Sequence, residues 1–379
     1  MRDEVISGRY SSLYHFITYY FSFSPTPLFS PTPLPLMLPR SFSPFLRFLL
    51  KTLPWLFVPL LLWWALKGVP FREIVNVLGQ LKGWQILAIA AANTVLMLSL
   101  SARWWWILRA QGYRIPYLTL SAYRLAAFSV AYFTPGPQFG GEPWQVFLPQ
   151  QRHGVPGTVA LASLALDKLL DLMANFTFLV LGVIVVLNGG LIGGGRGTML
   201  VVLSVLLLAA PLGYLIWLWR GGTPLTGWFT WLAARFPRVG WLGTATRVTR
   251  EAEGQVGTFG RRYPRAFVLA VIFSGLVWVG LTSEFWLALH FLGVSLTLPQ
   301  VISIITAARV ASLFPTPGAL GTLEASQVLV MEALGLNPAL GVGLSLIIRA
   351  RDLAFGGLGL FLAGVYSPRF TFLSAEGEQ

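Results

Sequence analysis

Charge-free apolar runs recur along the chain, and several approach or exceed the roughly 20 residues needed to cross a bilayer. Spans are expected near 52–66, 84–102, 116–133, 170–188, 198–219, 266–290, 298–314 and 352–368. The runs 143–169 and 319–350 are apolar but broken, and read as partial or re-entrant helices. The mixed segment 71–83, FREIVNVLGQLKG, reads as interfacial. This pattern predicts an all-α fold: a polytopic integral membrane helical bundle of about eight transmembrane helices plus two broken regions.

The polar positions divide the chain further. Residues 1–36 look foreign to the rest and end in the Ser/Pro/Phe tract 21–36, FSFSPTPLFSPTPLPL, which shows no helical or strand period. They are expected to be disordered, or an extension ahead of a natural start at Met37. A polar tail, 369–379, closes the chain. The long polar stretch 220–265 carries Arg220, Arg235, Arg238, Arg247, Arg250, Arg261, Arg262 and Arg265 against only Glu251 and Glu253. Short basic loops stay in the cytoplasm, so this one is placed there. Arg103, Arg109 and Arg114 read as a second cytoplasmic flank, and Arg40, Arg47 and Lys51 as a third. These placements conflict with simple alternation through eight spans. An additional crossing within 143–188 would reconcile the two central loops.

Composition removes the soluble alternative. The chain of 379 residues is 55% hydrophobic and 11% charged, against roughly 25% charged in a typical soluble protein. Its mean hydropathy is +0.68. With no cysteine, disulfides, thiolate metal sites and thiol nucleophiles are excluded. The three histidines, His15, His153 and His290, are too scattered for a metal site. Lys and Arg outnumber Asp and Glu by 27 to 14. In a membrane protein that excess points to anionic lipid headgroups and the positive-inside rule rather than to nucleic acid. No cofactor is expected.

An internal similarity carries the most information. Residues 134–146, TPGPQFGGEPWQV, and 316–328, TPGALGTLEASQV, share six of thirteen positions at a constant offset of 182. Both fit T-P-G-x5-E-x2-Q-V, which reads as an internal duplication with a first half of about 84–219 and a second of about 266–368. Pro135 and Pro317 remove a backbone donor, and Gly136 and Gly318 permit a sharp turn. Each motif therefore ends one helix and starts another, with Glu142 or Glu324 suited to the positive N-terminal end of the second. Broken backbone at membrane depth is tolerated where it is buried in protein or lines an aqueous cavity. The alternatives are an interfacial loop capped by the glutamate and a central polar site built from both broken elements.

Ionisable residues inside apolar runs favour the central site, because they face a partner or a wet cavity. Arg124 and Arg309 precede the motifs, while Asp167, Lys168 and Asp171 follow the first and Arg349, Arg351 and Asp352 the second; Glu284 sits alone in its span. Asp167 and Asp171 are i,i+4 and need a cation between them: Arg124, Arg309 or a substrate headgroup. Arg349 and Asp352, at i,i+3, can pair with each other. The competing reading makes all of these structural ion pairs. Trp104, Trp105 and Trp106 read as an interfacial aromatic belt.

The order Arg124, Pro135-Gly136-x3-Gly140-Gly141-Glu142-Pro143, then Asp167, Lys168 and Asp171 resembles the transmembrane-region family of lysylphosphatidylglycerol synthase. The second half, with Arg309, Pro317-Gly318-x2-Gly321-x2-Glu324 and Arg349-x-Arg351-Asp352, resembles the same family's C-terminal signature. The resemblance covers about residues 45–368 and implies a flippase for aminoacylated phospholipid. The aminoacyl-transfer domain of full-length relatives is separate and soluble, so lysyl transfer is not expected of this chain. Trp144 departs from the basic residue expected after the first G-G-E-P.

The resulting expectation is a lipid flippase in the cell inner (plasma) membrane, moving an anionic or aminoacylated phospholipid or a polyprenyl-phosphate-linked lipid. Arg124, Arg309, Arg349 and Arg351 would meet a phosphate; Glu142, Glu324, Asp167 and Asp171 would balance them or meet a cationic headgroup. The rivals are a membrane-embedded enzyme acting on lipid phosphates and a non-transporting partner of a glycosyltransferase or lipid-modifying enzyme.

Overall fold

The computed structural model describes residues 72, 79, 81–133, 140–190, 195–237, 239, 241–314 and 319–366. The tract 1–36, the span near 52–66, most of the segment 71–83 and the tail 369–379 fall outside these residues, as do Pro135, Gly136, Pro317 and Gly318. Every regular element among the described residues is a helix. In chain order they are α1 (Gly83–Ala110), α2 (Tyr117–Phe133), α3 (Glu142–His153), α4 (Gly157–Asn188), α5 (Gly195–Trp219) and α6 (Pro224–Arg235). There follow α7 (Trp241–Arg262), α8 (Pro264–Phe291), α9 (Leu298–Ser312), α10 (Thr322–Ala333) and α11 (Pro338–Tyr366).

Among the described residues, four helices are long and apolar enough to cross a membrane: α1, α4, α8 and, from Gly197, α5. With α11, of 29 residues, they form the long members of the bundle. The expected spans 116–133 and 298–314 correspond to α2 and α9, of 17 and 15 residues. At 1.5 Å per residue these reach only about 25 and 22 Å, short of a hydrocarbon core of about 30 Å. Each is followed in the chain by a 12-residue helix, α3 or α10. The broken runs 143–169 and 319–350 thus each hold a short helix, α3 or α10, and the start of a long one, α4 or α11.

Local chemistry explains the boundaries. Glu142 and Pro143 open α3, where a proline loses no intrahelical bond. Gly154, in the left-handed region at φ 62°, closes it. Gly321 precedes α10 at φ 77°, and its N–H donates to Glu324 Oε2 at 2.8 Å. Gly141 has a steric role: a Cβ there would collide with the carbonyl of Ala127.

Helices α8–α11 begin 180 or 181 residues after α1–α4, taken in turn, close to the 182-residue offset of the two motifs. The packing is reciprocal: α1 lies along α8, α2 packs on α11, and α9 packs on α4. In the two cross-pairs a glycine on the long helix admits the shorter one, since a Cβ at Gly359 would strike Ser129 and one at Gly182 would strike Thr306. Helices α1 and α8 run antiparallel. Ile89 shares a core with Phe285 and Leu289, Leu96 faces Gly280, Arg103 bonds Ser274, and Ile107 shares a core with Ala266 and Ala270.

The polar stretch 220–265 is largely helical, as α6 and α7. One face of α7, carrying Ala252, Val256 and Phe259, packs on α4 and α5, while Arg247, Arg250, Arg261 and Arg262 stay exposed. Its Glu253 is buried and accepts hydrogen bonds from Tyr214 Oη, Leu225 N, Thr226 N and Thr226 Oγ1 at 2.7–3.0 Å. This carboxylate takes up free N–H groups at the start of α6.

Candidate functional site

A cavity of about 320 Å³ opens between α1, α2, α3, α4, α8 and α9. On α1 its wall runs from Leu96 to Arg103, and on α8 from Ser274 to Leu281. Those are the central turns of two 28-residue helices of membrane length. The cavity therefore sits near mid-depth, where polar groups are rare and have to be matched.

Its charged wall is built on one carboxylate. Asp167 is fully buried and accepts from Arg103 Nε at 2.7 Å and Arg124 Nη2 at 2.8 Å. Arg103 also donates from Nη2 to Asp171 Oδ1 at 3.2 Å and from Nη1 to Ser274 Oγ at 3.1 Å. Arg124 Nη1 donates to the Leu100 carbonyl at 2.9 Å. The cation joining Asp167 and Asp171 is thus Arg103, not Arg124, Arg309 or a headgroup. The flank assignment of Arg103 is also corrected: α1 continues to Ala110, so this arginine lies inside the bundle. Trp104 leaves the aromatic belt for the same reason, being fully buried with Nε1 donating to Ser163 Oγ at 3.2 Å.

The motif glutamates share one architecture. Glu142 accepts from Gly140 N at 2.9 Å and pairs with Lys168 on α4 at 3.0 Å. Glu324 accepts from Gly321 N and pairs with Arg349 on α11 at 3.0 Å. Glu324 bonds the N-cap residue of its short helix, Glu142 the residue before the N-cap, and each ties its short helix to the next long one. Their settings differ. The Glu142 and Lys168 side chains are 28% and 43% exposed, whereas Glu324 and Arg349 are 7% and 11% exposed.

Away from the cavity, Glu284 is buried and takes both carboxylate oxygens to Arg351, at 2.5 and 2.6 Å. Arg351 also bonds Asn93 Oδ1 at 3.2 Å and Asp352 at 2.9 Å. The expected Arg349–Asp352 pair does not form; the two residues go to Glu324 and Arg351 instead. A one-turn separation left both free to find stronger partners elsewhere.

The sequence-derived residues thus divide in two. Gly141, Glu142, Arg124, Lys168, Asp171 and Arg309 line the cavity, with Asp167 behind them. Glu284, Glu324, Arg349, Arg351 and Asp352 lie in the other half and are absent from the cavity wall. Gly140 serves through its N–H. Gln145 and Arg103 line the cavity but were not singled out from sequence. Gln145 was visible as a motif position; Arg103 was hidden at the end of an apolar run.

The model for the lysylphosphatidylglycerol synthase transmembrane region matches residues 52–359. The chain belongs to that family. A membrane protein of the lysylphosphatidylglycerol synthase or flippase type is thereby supported, in agreement with the all-helical, multi-pass bundle. No curated protein matches the chain.

Proposed function

We propose that this family member is a lipid flippase whose substrate headgroup crosses the plasma membrane through the mid-depth cavity while its acyl chains remain in lipid. The observation that carries the reading is a polar, multiply charged cavity at the centre of two antiparallel membrane-length helices. Such a site has the depth and size for a headgroup, while a purely structural ion pair needs no adjoining space. The lipid class is an anionic or aminoacylated phospholipid or a polyprenyl-phosphate-linked lipid.

The mechanism follows from an inverted duplication, in which α1–α4 and α8–α11 are related copies. The matching helix starts, the reciprocal packing and the antiparallel α1–α8 pair support it. An axis in the membrane plane would then pass through the α1–α8 crossing, beside the cavity. In the observed arrangement the first broken pair borders open space and the second is closed down by Glu324–Arg349. Exchanging the two arrangements would move the opening to the opposite face and carry a headgroup across without a nucleotide. A lipid-modifying enzyme or glycosyltransferase is the expected consumer or supplier of the lipid.

The test is transbilayer movement in proteoliposomes. Headgroup-labelled phosphatidylglycerol and a polyprenyl phosphate should equilibrate faster than in empty vesicles, and Asp171→Asn should slow them. Movement no faster than in empty vesicles for every lipid tried would refute the reading.

A further inference from the structure

Helices α6 and α7 form a hairpin at one face of the membrane. It leaves the end of α5 at Trp219 and returns to the start of α8 at Pro264, and both flanking helices are of membrane length. The two arms run antiparallel: residues 236–240 join the end of α6 to the start of α7, while Glu253, halfway along α7, bonds Leu225 and Thr226 at the start of α6. Neither arm crosses the bilayer. At 12 residues α6 is only about 18 Å long, and the outward face of α7 is charged.

The hairpin shows two surfaces of different character. On α6, Leu225, Trp228 and Trp231 recur every third residue along an exposed stripe, and Arg235 lies one turn beyond Trp231. Phe236, just past the helix, and Trp241, whose ring lies edge-on to Phe229 of α6, are exposed as well. These five apolar side chains are 45–61% exposed. On α7, Arg247, Arg250 and Arg261 share the outward face with Gly254 and Thr258, and Arg262 is exposed beside them. Against the exposed arginines stands one exposed carboxylate among the described residues of the hairpin, Glu251. Glu253 is buried and already engaged by α6.

A contiguous stripe of Leu and Trp marks a surface that is covered by something apolar. Indole rings settle at the headgroup level of a bilayer, where the ring meets acyl chain and the N–H stays hydrated. Guanidinium groups beside them reach lipid phosphates. A soluble polyanion would match the arginines but not the indoles, and an apolar protein groove would match the indoles but not the arginines. Both together, where α5 and α8 meet the interface, fit a lipid surface of net negative charge. We propose that α6 and α7 form a foot on the anionic leaflet, with Leu225, Trp228 and Trp231 sunk to the level of the glycerol backbone and Arg235, Arg247 and Arg250 on lipid phosphates. The inner face of α7 shares a core with Leu166, Leu169 and Leu170 of α4. The foot is therefore braced against the turns that carry Asp167 and Asp171.

The chain has no cysteine, so single probe sites can be introduced. An environment-sensitive fluorophore is attached at Trp231→Cys and, as the outward polar control, at Thr258→Cys. The full chain is reconstituted in phosphatidylcholine vesicles with or without phosphatidylglycerol. With phosphatidylglycerol present, lipids spin-labelled near the top of the acyl chain should quench the probe at 231 about threefold or more above that at 258, and a neutral aqueous quencher should show the reverse order. Omitting phosphatidylglycerol should lower lipid quenching at 231 by about half. Arg235→Gln with Arg247→Gln and Arg250→Gln should abolish the difference between the two membranes. The comparison of membranes uses one folded protein and needs no arginine variant. Equal aqueous quenching at 231 and 258 would place the stripe in water. Protection of 231 from both quenchers would mean that protein covers it, and equal lipid quenching in both membranes would remove the anionic preference. Each of these three results overturns the proposal. Quenching reads surface contact alone, so it stands or falls separately from transport through the cavity.

Discussion

Replacing Asp167 with asparagine separates buried from water-facing ion pairs within one protein. Asp167 has no exposed surface and holds two guanidinium groups at 2.7 and 2.8 Å. In Asp167→Asn, one amide oxygen can still accept from one guanidinium, but the other meets an NH2 donor and the negative charge is gone; Arg103 then keeps Asp171 and Ser274, while Arg124 keeps the Leu100 carbonyl. Removing one partner of a buried pair costs about 3–5 kcal/mol, because the other charge is left uncompensated. Glu142→Gln removes a 3.0 Å pair whose side chains are 28% and 43% exposed. Water screens that pair, so about 0–1 kcal/mol is expected. The neutral amide can still accept from Gly140 N. Reversible unfolding in mixed micelles, at fixed lipid-to-detergent ratio, measures both. Combining Asp167→Asn with Arg124→Gln should give a coupling energy of about 0.5–3 kcal/mol. If Asp167→Asn costs less than about 1 kcal/mol, or no more than Glu142→Gln, then Asp167 is not the anchor of the charged wall.

Other outcomes follow from the packing. The chain has no cysteine, and a Cβ at Gly280 would lie 3.5 Å from that of Leu96, within disulfide range. Leu96→Cys with Gly280→Cys should therefore cross-link on mild oxidation, seen as a gel shift, while Leu96→Cys with Val268→Cys should not; the reverse would mean that α1 and α8 are not antiparallel. Gly359→Val should force α11 away from Ser129 and cost about 1–3 kcal/mol of stability, whereas Gly357→Val, in open space, should cost little. Glu253→Ala leaves the N–H groups of Leu225 and Thr226 unmatched, so hydrogen exchange over α6 should speed up by tenfold or more, and an unchanged rate would count against the clamp.

The sequence carried the membrane class, the broken elements and much of the cavity wall, because each rests on a local signal. A long apolar run, a Pro-Gly pair and an isolated charge at depth are all read without knowing the neighbours. Residues 52–66 and the two Pro-Gly pairs lie outside the described residues, so those expectations stand as they were. What the pattern did not convey was pairing. Arg103 is followed by three tryptophans, which look the same at an interface and in a core. Whether α1 ends there or runs to Ala110 is decided by packing on α4 and α8. Likewise, one-turn spacing put Arg349 beside Asp352, but Glu324, some 25 residues away in sequence, offered a buried carboxylate already aligned by Gly321. The antiparallel α1–α8 register is tertiary information altogether.

Headgroups are expected to pass through the cavity, and blocking it tests this directly. Ala174 lines it from α4 and takes no part in the ion network, so Ala174→Cys should move labelled phosphatidylglycerol in proteoliposomes at close to the wild-type rate. Attaching a bulky thiol reagent to that cysteine should then bring movement to the level of empty vesicles, and reductive removal should restore it. Full movement with the cavity so filled would place the path elsewhere and contradict the account.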